Sequence, residues 1–598
     1  MNKRNKHGLW RVFFILAAFH LSLIAVEAQE VRRGDCTPDV NLSGEALARG
    51  ARPMRLPNIN KTWDPEREYR QAVILMSFSD VDFKSENPCE QYDSIFNGKG
   101  YNERKGPGSV ADYFREQSGG LFNLKYDIYG PIKISAKAQP YENPTESTRN
   151  YGKSYLREAT RLLIDSLDVD FSVYDWDGNG HVEQVIFVYA GLTGNQSVDI
   201  CYGHIWPNTG SFSTVNTPNG LSISSYTASA ELWYNGMSCG IGTICHEFSH
   251  SLGLPDIYPT TSGAGFSVVD EWDLMDGGNF TNYGWCPPNY TPMEKMLLGW
   301  MEFTELTEAT YVENLKTVAE GGEVYRIKHS DSEWLLLENR QQRGWDLGLP
   351  GKGLVVYHVF YDKSIWSNNS VNNDRKKRRF ELVHADNMDY DAWEKYISTW
   401  AKPKGHANSG LMNSYYLSTS PYPWTTDSTE FVNDSLTNYS VPAAKMNYPN
   451  YDGNIMLSKP VTNIVQNDDG TVSFDFMIPK CATPTITYEN GRLLFGCETE
   501  GATFVSKVTT DDVQESEDAS IALTTQYTVT VYAVAEGHRD SDTVTATITW
   551  GDGVMKVDNI TVTATNDKKG DVNQDGVVDV ADIANVIYIM ASDGGNNE

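Results

Sequence analysis

The chain has little positive charge to set against its acid, no Cys-x-x-Cys pair, and one apolar run long enough to concern a membrane. Lysine and arginine number 49 against 79 aspartates and glutamates in 598 residues, a formal net charge of −30. That balance repels phosphate backbones and argues against nucleic acid as a partner. The eight cysteines are Cys36, Cys89, Cys201, Cys239, Cys245, Cys286, Cys481 and Cys497, and without a CxxC spacing they argue against a thiolate zinc knuckle. Cys481 and Cys497 flank two strand-like segments and form the best local disulfide candidate. The long apolar run, Val12 to Val26, follows Lys3, Arg4, Lys6 and Arg11 and leads into Val26-Glu27-Ala28. Residues 1–28 therefore read as a signal peptide cut after Ala28, and the mature chain as secreted, with no membrane span.

What is present divides the chain into several domains, as its length requires. Residues 29–67 are polar and irregular, a pro-segment or linker. The runs Ala72 to Phe78 and Gln184 to Ala190 are continuously apolar and predict buried strands. Ser109 is a good N-cap for a helix that Gly119-Gly120 stops, and 150–167 contains an amphipathic helix. Helices alternating with buried strands predict an α/β (α+β) domain over 68–305. Short strands separated by Asn/Asp/Gly loops then predict a mainly-β domain over 306–480. Alternating strands over 481–552 suit a β-sandwich module. The end, 566–598, is a calcium-loop-like motif followed by one helix.

The chemistry concentrates at His246-Glu247-Phe248-Ser249-His250. Positions i and i+4 share a helix face, so the two imidazoles can grip one zinc ion. Glu247 lies beside that face, where it can act on water as general base and then protonate a departing amine as general acid. Zinc assists by lowering the water's pKa to about 7. Ile241, Ile244, Cys245, Phe248 and Leu252 supply an opposite apolar side. Gly253 and Pro255 end the helix and let the chain fold back to offer Asp256 as third ligand. Asp270 and Glu271 stand about twenty residues after His250, an alternative source of that ligand.

His-Glu-x-x-His-x-x-Gly-x-x-Asp resembles the metzincin signature with Asp in place of the third His, and Trp272-Asp-Leu-Met275 then resembles its methionine turn. More closely, His246 to Asp256, Trp272 to Gly278, Ser109 to Phe114, Asp175 to Gly180 with Gln184 to Gly191, and Gly353 to His358 resemble the immune inhibitor A (M6) family of metallopeptidases. The resemblance spans about 68–480. It implies a metzincin-like zinc endopeptidase domain, bacterial secretion, and calcium in the structure.

Asp175, Asp177, Asn179 and Glu183 occupy positions 1, 3, 5 and 9 of an EF-hand-like calcium loop, with Gly180 at its turn and Ile186 where the usual glutamate would stand. In the tail, Asp571, Asn573, Asp575, Asp579 and Asp582 fill positions 1, 3, 5, 9 and 12, and a helix follows. This resembles one dockerin repeat, which implies a cohesin-like partner. Tyr283 is a candidate oxyanion donor, and Cys36 a candidate thiolate switch. His204 and His358 read as structural. Two functions are in view: a secreted zinc endopeptidase acting on extracellular proteins, or a calcium-dependent binding or adhesion protein on an inactive peptidase scaffold. The intact His246, Glu247 and His250 favour the first.

Overall fold

A computed structural model describes residues 62–563, apart from 146–147, 197, 262–267, 390, 394, 396–414, 427–431, 490–491, 514–523 and 552–553. The signal peptide, most of the 29–67 segment with Cys36, and the dockerin-like tail lie outside the described residues. Among those described, no helix is long and apolar enough to cross a membrane.

The first unit is built on a five-stranded sheet. Its strands are β1 (Glu68–Ser77), β2 (Asn123–Lys133), β3 (Val185–Leu192), β4 (Asn208–Asn216) and β5 (Ser222–Leu232). They lie in the order β2-β1-β3-β5-β4, parallel except for the edge strand β4, which runs antiparallel to β5. β1 is buried on both faces, which explains its unbroken apolar sequence. Val73 and Leu75 point to one side, against α1 (Pro88–Asn97), α2 (Val110–Gln117) and α4 (Gly242–Ser251). Ala72, Ile74 and Met76 point to the other, against Leu156, Ala159 and Leu163 of α3 (Lys153–Ser166). Ser109 caps α2 through a reciprocal pair with Asp112, whose carboxylate accepts the Ser109 backbone N–H.

The second unit pairs β6 (Thr304–Glu305), β8 (Tyr325–Lys328), β9 (Glu333–Arg340), β10 (Gly353–Phe360) and β11 (Phe380–Leu382) in the order β11-β10-β9-β8-β6. A three-stranded sheet, with β7 (Thr310–Leu315) beside two later strands, completes it. This unit does not stand apart from the first. Trp334 and Leu336 of β9 and Tyr357 of β10 belong to the same buried cluster as Phe248 of α4, Trp272 and Met275.

The third unit comprises a hairpin, Thr485–Glu489 with Arg492–Gly496, and a four-stranded antiparallel meander from Thr503 to Thr563. Its last strand, Val554–Thr563, pairs with Thr543–Gly551, so the sheet continues beyond residue 552. The chain is thus multidomain, with mixed helix and sheet in the first unit and β-structure after it. The disulfide expected between Cys481 and Cys497 is not made. Both are free thiols, and Cys497 instead donates to the Ala482 carbonyl at 3.0 Å.

Candidate metal centre

Helix α4 lies against β5 and the edge strand β4. Its start is fixed by close backbone packing: a Cβ on Gly242 would come within 2.0 Å of the Asn279 carbonyl oxygen. Its end is a turn in which Gly253 takes φ +101°, a conformation costly for residues with a side chain. Leu254 N donates back to Ser249 O at 3.2 Å, and the chain reverses into Asp256.

The reversal brings three buried groups together. Asp256 Oδ1 stands 3.3 Å from His246 Nε2 and 3.2 Å from His250 Nε2. These are the separations of ligand atoms around a tetrahedral zinc, whose bonds of about 2.0–2.1 Å place neighbouring ligands about 3.3 Å apart. Each imidazole is oriented from behind. His246 Nδ1 lies 2.8 Å from the Leu274 carbonyl, and His250 Nδ1 lies 2.8 Å from the Leu254 carbonyl. A carbonyl only accepts, so both Nδ1 atoms donate, and each Nε2 is left facing inward, where a bound metal would take its lone pair. Asp256 Oδ1 is buried and has no hydrogen-bond partner. Burial would lower the pKa of His250, but Asp256 outweighs it and pushes the imidazole up to about 9. Burial would likewise raise Asp256, but His250 and His246 hold it well below the usual carboxylate range. A divalent cation competes for the same inward-facing atoms, and the donor set of two imidazoles and one carboxylate fits zinc.

Glu247, next on the helix, is partly exposed. Burial raises its carboxyl above the ordinary value, and the two imidazoles oppose that shift. Its Oε2 lies 3.2 Å from the Thr209 hydroxyl on β4, which also bonds to the Glu247 carbonyl. Met275 is fully buried, and its carbonyl accepts the Ile257 backbone N–H at 2.8 Å. The turn at Leu274 and Met275 therefore holds His246 with one carbonyl and the loop carrying Asp256 with the next.

Asp270 and Glu271 are not part of this cluster; among the described residues, His246 and His250 converge with Asp256. Tyr283 has its ring under the Arg104 guanidinium at 5.1 Å. The tyrosine at the site is Tyr258, whose ring is parallel to His246, 6.4 Å centroid to centroid and tilted 11°. Its position two residues beyond Asp256 was the available signal. His204 lies outside the cluster, and His358 is buried between Glu333 and Glu381.

The first calcium-loop reading also has a geometric counterpart. One oxygen each from Asp175, Asp177 and Glu183 lies within 4.8 Å of the others. Asn179 donates its side-chain amide to Asp177 at 2.8 Å, and its own Oδ1 accepts His181 N. Asp175 accepts Gly180 N at 2.9 Å, and burial, the largest cause, raises Glu183 to about 7.

A mixed sheet carrying a helix with two inward imidazoles, a folded-back carboxylate and an adjacent glutamate defines a metallopeptidase type of catalytic domain. Residues 76–297 match the family described as immune inhibitor A peptidase M6, catalytic domain. Immune inhibitor A of Bacillus thuringiensis subsp. alesti is 24% identical over 279 residues, covering 38% of this chain and 39% of that protein. The pre-pro-metalloprotease PrtV of Vibrio cholerae serotype O1 (strain M66-2) is 22% identical over 247 residues, covering 36% of this chain and 26% of that protein. The matched region thus spans well under half of each relative's length.

Proposed function

We propose that the chain is a secreted zinc endopeptidase that hydrolyses peptide bonds of extracellular proteins. The observation that carries this reading is the convergence of His246 Nε2, His250 Nε2 and the unpartnered Asp256 Oδ1 beside Glu247. Zinc, when bound, supplies Lewis-acid polarisation and acidifies water. The chain's own residues do the rest. Leu274 and Leu254 hold the imidazoles in the ligand tautomer, Met275 carries the backbone contact beneath Asp256, and Glu247 takes a proton and returns it to the leaving amine. The metzincin-like character of the domain, with Met275 as its methionine turn, belongs to the same reading.

The test compares wild type with Glu247→Ala on casein or gelatin, with metal analysis of both. Retained zinc and cleavage reduced by at least about 100-fold is the expected result. Unchanged cleavage overturns the mechanism, and an inactive wild type favours the adhesion-protein reading.

Calcium belongs to the proposal at Asp175, Asp177, Asn179 and Glu183, supported by the convergence of Asp175, Asp177 and Glu183 and by Gly178 and Gly180 at φ +72° and +86°. Added calcium is expected to raise the melting temperature of wild type by more than that of an Asp175→Asn/Asp177→Asn double variant, as followed by circular dichroism. The tail at 566–598 is read as a second calcium segment that docks a cohesin-like protein.

A further inference from the structure

The loop that carries Asp256 is held by three asparagines of the second unit. Asn369 is buried, in left-handed backbone (φ +51°) of a kind asparagine tolerates. Both ends of its amide face Asp256. Oδ1 accepts the Asp256 backbone N–H at 2.6 Å, and Nδ2 donates to Asp256 Oδ2 at 2.7 Å. Asn372 Nδ2 donates to the Ile257 carbonyl at 2.9 Å, and Asn373 Oδ1 accepts the Thr260 N–H at 2.7 Å. The Thr260 hydroxyl closes the seam on the Asn369 carbonyl at 2.7 Å.

A carboxylate has two equivalent oxygens and a free torsion, so nothing intrinsic decides which oxygen meets a metal. At Asp256 the choice is made from outside: Oδ2 is engaged by Asn369, and Oδ1 faces His246 and His250. We propose that Asn369 is a positioning residue for the metal, so that the centre is completed by a second unit lying beyond the family-matched stretch 76–297. This rests on the zinc reading above. The site asks for a short side chain with a donor and an acceptor in one plane, which asparagine supplies. Aspartate at 369 would set a second carboxylate against Oδ2. Alanine would leave Oδ2 buried and without that donor.

The experiment uses the full chain as wild type, Asn369→Asp, Asn369→Ala and Asn373→Ala. Asn373→Ala loosens the same loop without touching Asp256. Zinc affinity is read by competition with a chromophoric chelator, and apo-protein stability by thermal unfolding in EDTA. Both Asn369 variants are expected to bind zinc about 10–100-fold more weakly. Asn373→Ala is expected to keep the wild-type zinc affinity whatever it loses in apo stability. The near-isosteric Asn369→Asp decides the matter if Asn369→Ala fails to fold. Wild-type zinc affinity in Asn369→Asp overturns the inference, as does an equal loss in Asn373→Ala, which would mark general loosening of the loop. A wild-type chain that takes up no zinc overturns the metal reading itself.

Discussion

The buried imidazole of His358 makes the second unit sensitive to alkali. It sits on β10 between Glu333 of β9, 2.8 Å from Nε2, and Glu381 of β11, 3.0 Å from Nδ1. Glu333 also accepts the backbone N–H groups of Asn447 and Tyr448 at 2.6 and 3.2 Å, so one imidazolium ties three strands and a loop. Burial alone would depress His358, but the two glutamates outweigh it and lift the imidazole to about 9, against 6.5 for an ordinary histidine. Because the folded value is raised, the stabilisation is complete below pH 6.5, declines as pH rises, and is nearly gone above 9. Linkage puts it at about 3 kcal/mol near pH 6–7 and about 1 kcal/mol at pH 8. Replacing His358 with Gln keeps a polar group of similar length but removes the charge. Thermal unfolding of wild type and His358→Gln at intervals from pH 6 to 9.5 should show a wide gap at pH 6 that closes by pH 9.5. A gap of constant size across that range would refute the reasoning, because it would mean the imidazole contributes packing and not charge.

Arg340, also buried, is held by Asp346 through two bonds of 2.8 and 2.6 Å and faces Glu338 and the Tyr357 hydroxyl. Arg340→Met leaves two acids without their cation and should cost about 3–5 kcal/mol in chemical denaturation, with part recovered when Glu338 and Asp346 are also made apolar. Gly242→Ala drives a methyl into the Asn279 carbonyl, and should cost about 1–3 kcal/mol in the same assay while weakening zinc retention through a displaced His246.

The parts of the centre legible in the sequence are those whose geometry is local. His246 and His250 share a face because a helix has 3.6 residues per turn, and Gly253 with Pro255 marks where that helix must end. The buried strands β1 and β3 were equally plain from their unbroken apolar runs. What was not legible is what comes from afar. Asn369 lies 113 residues beyond Asp256 and carries no periodic signal. Thr209 sits in a Ser/Thr-rich edge strand whose composition gives no hint that it reaches Glu247. A sequence pattern reports that a face is apolar or ligand-bearing, but not which distant segment covers it.

The buried cluster shared by Phe248, Met275, Leu336 and Tyr357 also bears on the order in which the chain matures. During synthesis from the N-terminus, α4 and its histidines emerge well before β9 and β10, and at that stage the cluster around α4 lacks the apolar residues of those strands. The first sheet can form early, but α4 reaches its final packing when the second sheet docks. Ordering of the centre is therefore expected to accompany docking of the second sheet, and a chain cut short before residue 330 is expected to retain zinc less well than the full chain.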